Sequence, residues 1–414
     1  MYRETDWIDD SCEAAWVDAG ACPSKAVRLI DVRGRIFSDA KWTRELALLN
    51  SCSAGEVSEE VVREMLSMSG DAFILADSDL SSPPPPIGRT FDLEELAKIA
   101  SSMDTKCSDG PISTRVVLQL VRRRVSGTGQ GNSPFCTAWA GGRLSVVAKD
   151  ASGRDCARKT AIFREYPESA EALEDEFLQA RDDAIAEFVR CNPLPKVASG
   201  RYDVVFSPQA AAVVIHEVVG HMLERDIWES ISRQWPVHFP QWLSVSSAEA
   251  PSGWASSNLS WDDRGNALRE ETLCGGGSVI KLIGGEPGDH MDFRRMSGRW
   301  PTIPRMRSLR VSGSRSDIPD NFDPTLVIYE VNRAGLSYST GNVFLEIWGA
   351  KDFDGPGEYR GGVMKMPISE FMARWVGMDS SSHDTFCMNC VKFDQIAPVA
   401  ITCGAAYFVD AEVS

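Results

Sequence analysis

The residue types best suited to chemistry lie in the stretch Tyr202 to Asp226, where His216, Glu217 and His221 fall close together. Two imidazoles offer neutral nitrogen ligands, and a carboxylate beside the first of them can serve as base for water on a catalytic zinc. The spacing differs from the H-E-x-x-H pattern, because His221 follows His216 by five positions rather than four. At about 3.6 residues per turn, residues four apart are roughly 40° apart around an α-helix and residues five apart roughly 140°. For both rings to reach one ion, the helix must widen to a π-type turn, which brings i and i+5 together, or unwind at Gly220. The run Ala210 to Ile215 is wholly apolar, so one histidine on that face would read as a core residue. Two histidines and a glutamate there would each need a buried partner, which favours metal binding.

The elements that must position these groups are legible on either side. Tyr202 to Phe206 reads as a strand, and Ser207-Pro208 as a helix start, with serine at the N-cap and proline at the first helical position. Upstream, Leu173, Phe177, Ala180, Ala184 and Phe188 form one apolar stripe of a surface helix packed on a sheet. The segment Cys191 to Gly200 then breaks it with two prolines and a glycine. The reading is α+β, with an N-terminal α/β domain over residues 1–192 and a C-terminal β-rich domain over 193–414.

Within the first half, residues 26–37 suggest a strand or hairpin, 57–68 and 91–103 helices, and Ser81 to Gly88, with four consecutive prolines, a stiff connector. Ile112 to Val125 and Gly142 to Tyr166 read as strands of an antiparallel sheet, with Arg122, Arg123 and Arg124 at a solvated strand end. The second half carries many short strands and turns and one helix in the segment 368–378. Gly275 to Gly277 are followed by neither a helix pattern nor a phosphate-loop lysine, so they do not read as a nucleotide site.

The 414 residues, 43% hydrophobic and 25% charged, suit two soluble domains. A net charge of −16 argues against nucleic acid, whose partners present basic surfaces. The acidic start and the lack of a long apolar run predict no secretory signal and no membrane span, hence a cytoplasmic protein. In that setting the 11 cysteines are expected to be mostly reduced thiols. Cys387, Cys390 and Cys403 cluster near the C-terminus, where a single thiolate completing a two-histidine site is the most economical use. Cys387 and Cys390 also form a C-x-x-C, which leaves a redox pair or half of a structural zinc site as alternatives.

At this point the chain resembles the TldD family of metalloproteases, the TldD/PmbA or TldD/TldE group. His216-Glu217-Val218-Val219-Gly220-His221 matches its H-E-x-x-x-H signature, and Gly220 to Asp226 is similar to its G-H-G-L-E-G-D. Arg295 to Gly298 with Pro304-Arg305-Met306, and Tyr338 to Gly341 through Gly349 to Lys351, resemble further family segments. Cys390 to Pro398 falls on the family's C-G-K-x-G-Q-x-x-P, a register that selects Cys390 as ligand. The resemblance covers roughly residues 190 to 410.

The resemblance implies a C-terminal curved antiparallel sheet carrying the metal helix. It implies one Zn2+ per chain, held by His216, His221 and Cys390, with Glu217 as general base and then acid in hydrolysis of peptide or amide bonds. It also implies a TldE-like partner subunit that lacks the metal motif, or else a homodimer. The chain departs from the pattern at Met222, Arg225, Val391 and Asp394, where the family has glycines. Larger groups beside the metal, and a chain that reads as shorter than typical members, favour a runner-up: a hydrolase of amide or C–N bonds that tailors a small-molecule natural product in antibiotic biosynthesis. A non-catalytic partner-binding subunit is the alternative outside enzymes. Arg225, Arg305 and Tyr338 are candidates, by composition alone, for a second electrophile.

Overall fold

The computed structural model describes residues 7–19, 25–31, 35–37, 47–51, 95, 98–99, 102–103, 112–128, 134–149, 155–163, 169–191, 194–248, 261–284, 290–294, 302–313, 318–379, 383–392 and 395–414. The proline-rich connector and the helix expected over 57–68 lie outside these residues. Residues 95, 98–99 and 102–103 are helical, in line with the helix expected over 91–103.

The first sheet is built from β1 (Trp7–Ala19), β2 (Lys25–Asp31), β3 (Arg35–Phe37), β4 (Ala47–Ser51), β5 (Ser113–Thr128), β6 (Pro134–Lys149) and β7 (Asp155–Phe163). Its order is β4-β2-β1-β5-β6-β7, with β3 also on β1. Every described pair in it is antiparallel, so the N-terminal half is a helix-covered antiparallel sheet rather than an α/β unit with parallel strands. Of the strand or hairpin expected over 26–37, the strand is present as β2, and both β2 and β3 pair with β1. Arg122, Arg123 and Arg124 lie within β5, paired on both sides by β1 and β6, not at a strand end.

Helix α1 (Ala170–Cys191) closes one face of this sheet. Its Leu173, Phe177, Ala180 and Ala184 are buried against Val116, Leu118, Leu144, Val146 and Ala157, as a 3.6-residue stripe requires.

The second half begins with β8 (Gly200–Phe206), α2 (Pro208–Val214), a π-helical turn (Ile215–Gly220) and α3 (Arg225–Ile231). Short strands follow: β9 (Ser244–Ser247), β10 (Glu271–Gly275), β11 (Ser278–Val279), β12 (Phe293–Arg294), β13 (Ile303–Pro304) and β14 (Ser308–Ser312). The long hairpin β15 (Leu326–Ser337) and β16 (Asn342–Asp352) leads to β17 (Glu358–Tyr359), β18 (Gly362–Pro367), α4 (Ile368–Arg374), β19 (Trp375–Met378), β20 (His383–Lys392), β21 (Gln395–Cys403) and β22 (Ala406–Val413). The helix expected over 368–378 therefore stops at Arg374, because Trp375 to Met378 pair instead with β22.

These strands form a six-stranded sheet, β11-β10-β9-β14-β21-β20, and a seven-stranded sheet, β17-β16-β15-β8-β22-β19 with β18 on β16. They are mainly antiparallel, but β8 runs parallel to β15 and β14 parallel to β21, which corrects the expectation of a purely antiparallel sheet. α2 packs against β8 and β15 of one sheet and β20 and β21 of the other. Its Ala210, Ala211, Ala212 and Val214, with Ile215 of the π-turn, are buried there with Val204, Phe206, Ile328, Leu309, Val399 and Ile401. A helix that is hydrophobic all round is stable only in such an interior.

Two separate apolar clusters result, one from residues up to Ala184 and one from Val197 onward. Polar contacts join them: Arg360 to Glu187 at 2.9 Å, Arg190 to Glu358 at 2.6 Å and Arg158 to Asn332 at 3.4 Å. The guanidinium groups of Arg158 and Arg360 both lie over the Trp348 ring, 5.5 and 4.5 Å from its centre. Among the described residues no helix is long and apolar enough to cross a membrane.

Candidate metal centre

The helix that carries the histidines starts where the sequence places it. Ser207 takes the N-cap position, and its Oγ accepts from the Ala210 backbone N–H at 3.3 Å, with Pro208 in the first turn. Past Val214 the hydrogen bonding widens to the π pattern over Ile215–Gly220, and the backbone N–H of His221 donates to the carbonyl of His216. That i→i+5 bond joins the two histidines themselves. The five-residue spacing is thus resolved by a π-turn and not by unwinding, for Val214 and His221 on either side keep right-handed helical angles. Gly220 serves close packing: a Cβ there would stand 2.4 Å from the Met306 sulfur and 3.2 Å from Leu309 Cδ1.

Cys390 arrives from the other sheet, on β20. The β20–β21 pairing shifts register between Cys387 and Cys390, a bulge just before the cysteine. Its Sγ lies 3.3 Å from His221 Nε2. Ligand atoms of His216, His221 and Cys390 all fall within 4.8 Å of one another, and all three residues are buried.

Cys403 is elsewhere. Its thiol donates to the Pro208 carbonyl at 3.5 Å, and burial pushes its pKa up to about 12. The side chain of Cys387 lies outside the described residues.

His216 is fully buried, and among the described residues neither of its ring nitrogens has a hydrogen-bond partner. Burial first, then the positive charge of His221, holds it neutral, with a pKa well below the usual histidine range. A buried ring with both nitrogens unpartnered is costly unless a lone pair has another acceptor. With a second imidazole and a thiol beside it, the donor set fits zinc.

Glu217 sits at the open side of the group, its side chain 34% exposed, with oxygens 3.8 Å from His216 Nε2 and 4.0 Å from His221 Nε2. Burial raises its pKa above the ordinary carboxylate range.

Beside the ligands lies a charged network whose pairing the sequence reading did not give. After His221 the chain turns out of the helix: Glu224 is extended and bridges to Ile283. Its fully buried carboxylate accepts from His221 Nδ1 at 2.8 Å, from Lys392 Nζ at 2.8 Å and from the Met306 backbone N–H at 3.0 Å. Burial alone would raise the Glu224 pKa, but His221, Lys392 and Arg305 outweigh it and hold it at about 2. Burial likewise opposes a charged His221, and Glu224 with Cys390 outweighs it, to about 10.

Lys392 Nζ also donates to Asp226 at 2.7 Å and to the Pro304 carbonyl at 3.0 Å. Arg305 is buried and donates to the Cys390 carbonyl at 2.5 Å. The available signal for Glu224 was its position three residues after His221, a neighbouring spacing on a helix. Lys392 falls on the lysine of the family segment that begins at Cys390, but its pairing with Glu224, 168 positions away, was not legible there.

The three electrophile candidates separate. Arg225 pairs with Glu229 at 3.1 Å, and Arg305 supports the cysteine strand from behind. Tyr338, 39% exposed, follows the end of β15; burial and then the charges of Glu224, Glu217, Asp226 and Cys390 push its pKa up to about 12. Of the glycine replacements, Met222 is buried in the main core, and Arg225 is partly exposed. The side chain of Val391 and all of Asp394 lie outside the described residues.

No protein-family model and no curated protein matches the chain in sequence. Solved structures do match in fold. TldE from Thermococcus kodakarensis aligns with a TM-score of 0.54 at 12% identity, over 99% of this chain and 96% of that one. A putative modulator of a DNA gyrase from Thermotoga maritima MSB8 gives 0.53 at 14% identity, over 99% and 95%. A second putative modulator of DNA gyrase, from Bacteroides thetaiotaomicron VPI-5482, gives 0.52 at 10%, over 99% and 94%. The match spans nearly all of each of these three chains, so beside them the expectation of a shorter chain does not hold. Over nearly its whole length the chain therefore has the fold of TldE, in agreement with the TldD/TldE resemblance carried by its motifs.

Proposed function

We propose that this chain is a zinc-dependent hydrolase of peptide or amide bonds, with one ion held by His216, His221 and Cys390 and with Glu217 as the proton-transfer group. The observation that carries the reading is the convergence of two imidazoles from the helical segment and a thiol from strand β20, with a partly exposed carboxylate at their edge. A purely structural site has no use for a carboxylate that stands beside both histidines without hydrogen-bonding to either. Zinc in such a set lowers the pKa of a bound water to about 7 and polarises a carbonyl.

The remaining work falls to the chain. Glu217 takes a proton from the attacking water as its oxygen bonds to the carbonyl carbon. It returns that proton to the leaving nitrogen as the C–N bond breaks, acting as base and then acid. His216 stays neutral in its dry environment and keeps a lone pair available. His221 is oriented through its Nδ1, so that Nε2 faces Cys390. Tyr338, whose raised pKa keeps it protonated at neutral pH, is the candidate to donate a hydrogen bond to the carbonyl oxygen as it gains charge.

The division into domains 1–192 and 193–414 belongs to this reading, supported by the two separate apolar clusters. So does a TldE-like partner or a second copy of the chain, supported by the fold likeness to TldE, and a cytoplasmic location. Purified chain, alone and mixed with a TldE-like subunit, is expected to carry one zinc and to cleave an unstructured peptide. Chelation should stop cleavage and added zinc restore it. Cleavage that survives complete zinc removal would overturn the proposal.

A further inference from the structure

We propose that Glu224 is a positioning residue for His221, and that with Lys392 and Arg305 it locks the helix bearing the histidines to the strand bearing Cys390 before any ion arrives. This inference rests on the metal-site reading above and concerns how the chain prepares that site.

The geometry of Glu224 is specific. One carboxylate oxygen meets His221 Nδ1 at 2.8 Å and Lys392 Nζ at 2.8 Å; the other accepts from the Met306 backbone at 3.0 Å. In the neutral ring that a metal ligand requires, an acceptor at Nδ1 keeps the remaining proton there and leaves a bare lone pair on Nε2. Nε2 is the atom 3.3 Å from Cys390 Sγ. A carboxylate in this place also makes the ring a stronger donor than a carbonyl would.

The partners of Glu224 give it a second role. Lys392 lies two positions beyond Cys390 on the same strand, and its ammonium reaches Glu224, Asp226 and the Pro304 carbonyl. Arg305, one position before Met306, reaches the Cys390 carbonyl. Both ends of the ligand set are therefore anchored through the same segment, Pro304 to Met306. Glu224 and Lys392 are both buried, and a buried charge is tolerated only when paired. The pair thus requires the two ligand-bearing elements to stay together.

The test uses Glu224→Gln, Lys392→Met and the double variant, with Co2+ as the probe. Three readouts apply: affinity by competition against a chromophoric chelator, the visible d–d and thiolate charge-transfer bands, and the thermal midpoint. Glu224→Gln is expected to bind Co2+ about 10–100-fold more weakly, with shifted d–d bands. Lys392→Met should lower the midpoint, since it takes from the buried Glu224 carboxylate one of its three partners and its tie to the cysteine strand. The double variant should recover most of that midpoint and still bind weakly.

Native affinity with an unchanged spectrum in Glu224→Gln would overturn the positioning role. Native affinity in the double variant would do the same, and that arm serves if Glu224→Gln does not fold. Wild-type chain that takes up neither Co2+ nor Zn2+ would instead overturn the metal-site reading itself.

Discussion

Replacing Glu217 by Gln separates a proton-transfer role from every structural role the residue could have. Glutamine keeps the length and shape of the side chain but cannot accept the proton of the attacking water. Its stability cost can be worked from its surroundings. The carboxylate is 34% exposed, and its approaches to the two imidazoles, at 3.8 and 4.0 Å, are too long for hydrogen bonds. No buried bond is lost, so stability should change by no more than about 0.5 kcal/mol. The catalytic cost is of another order. Removing a general base lowers the rate by about 10²–10⁴, which is roughly 3–5 kcal/mol of transition-state stabilisation.

The assay follows turnover of an unstructured peptide by mass spectrometry beside zinc content and thermal midpoint. The expected variant keeps its zinc and midpoint and loses nearly all turnover. A variant with full zinc and wild-type turnover would remove Glu217 from the mechanism. Zinc lost in step with activity would make it a ligand instead.

Cys390→Ser should lose zinc while Cys403→Ser keeps it, since Cys403 bonds to the Pro208 carbonyl away from the site; metal-to-protein ratios check this, and the reverse pattern would refute it. Glu330, near Glu187 and Arg360 where the two apolar clusters meet, supplies a pH prediction. Burial, then the charge of Glu187, lifts its folded-state pKa to about 6, despite Arg360 at 3.7 Å. With the folded pKa above the unfolded value, its contribution is fully present below about pH 4.3 and is lost as pH rises through about 6. Ionised Glu330 therefore costs at most about 2 kcal/mol at neutral pH, so Glu330→Gln should raise the thermal midpoint at pH 7.5 and leave it unchanged near pH 4. An equal shift at both pH values would refute the electrostatic account.

The local chain determined much of what positions the site. Ser207-Pro208 started the helix because a hydroxyl acceptor and a preset φ act within one turn. The apolar stripe of α1 and the alternation of β5 and β6 likewise follow from periods of 3.6 and 2. The identities of His216, Glu217 and His221 pointed to metal chemistry, and the resemblance to the family's downstream segment pointed to Cys390 among the three clustered cysteines.

What the local chain did not contain was any information about partners far away. The π-turn was one of two ways to accommodate a five-residue spacing; the structure selects it with Gly220 packed tight against Met306 and Leu309, whose strand is remote in sequence. The parallel pairs β8–β15 and β14–β21 join strands separated by more than a hundred and about ninety residues, respectively, and side-chain alternation is the same for either strand direction. Glu224 and Lys392 stand in two separate segments 168 positions apart, and neither segment by itself shows that they pair. Only the packed interior, where an unpaired charge is too costly to bury, makes them one unit.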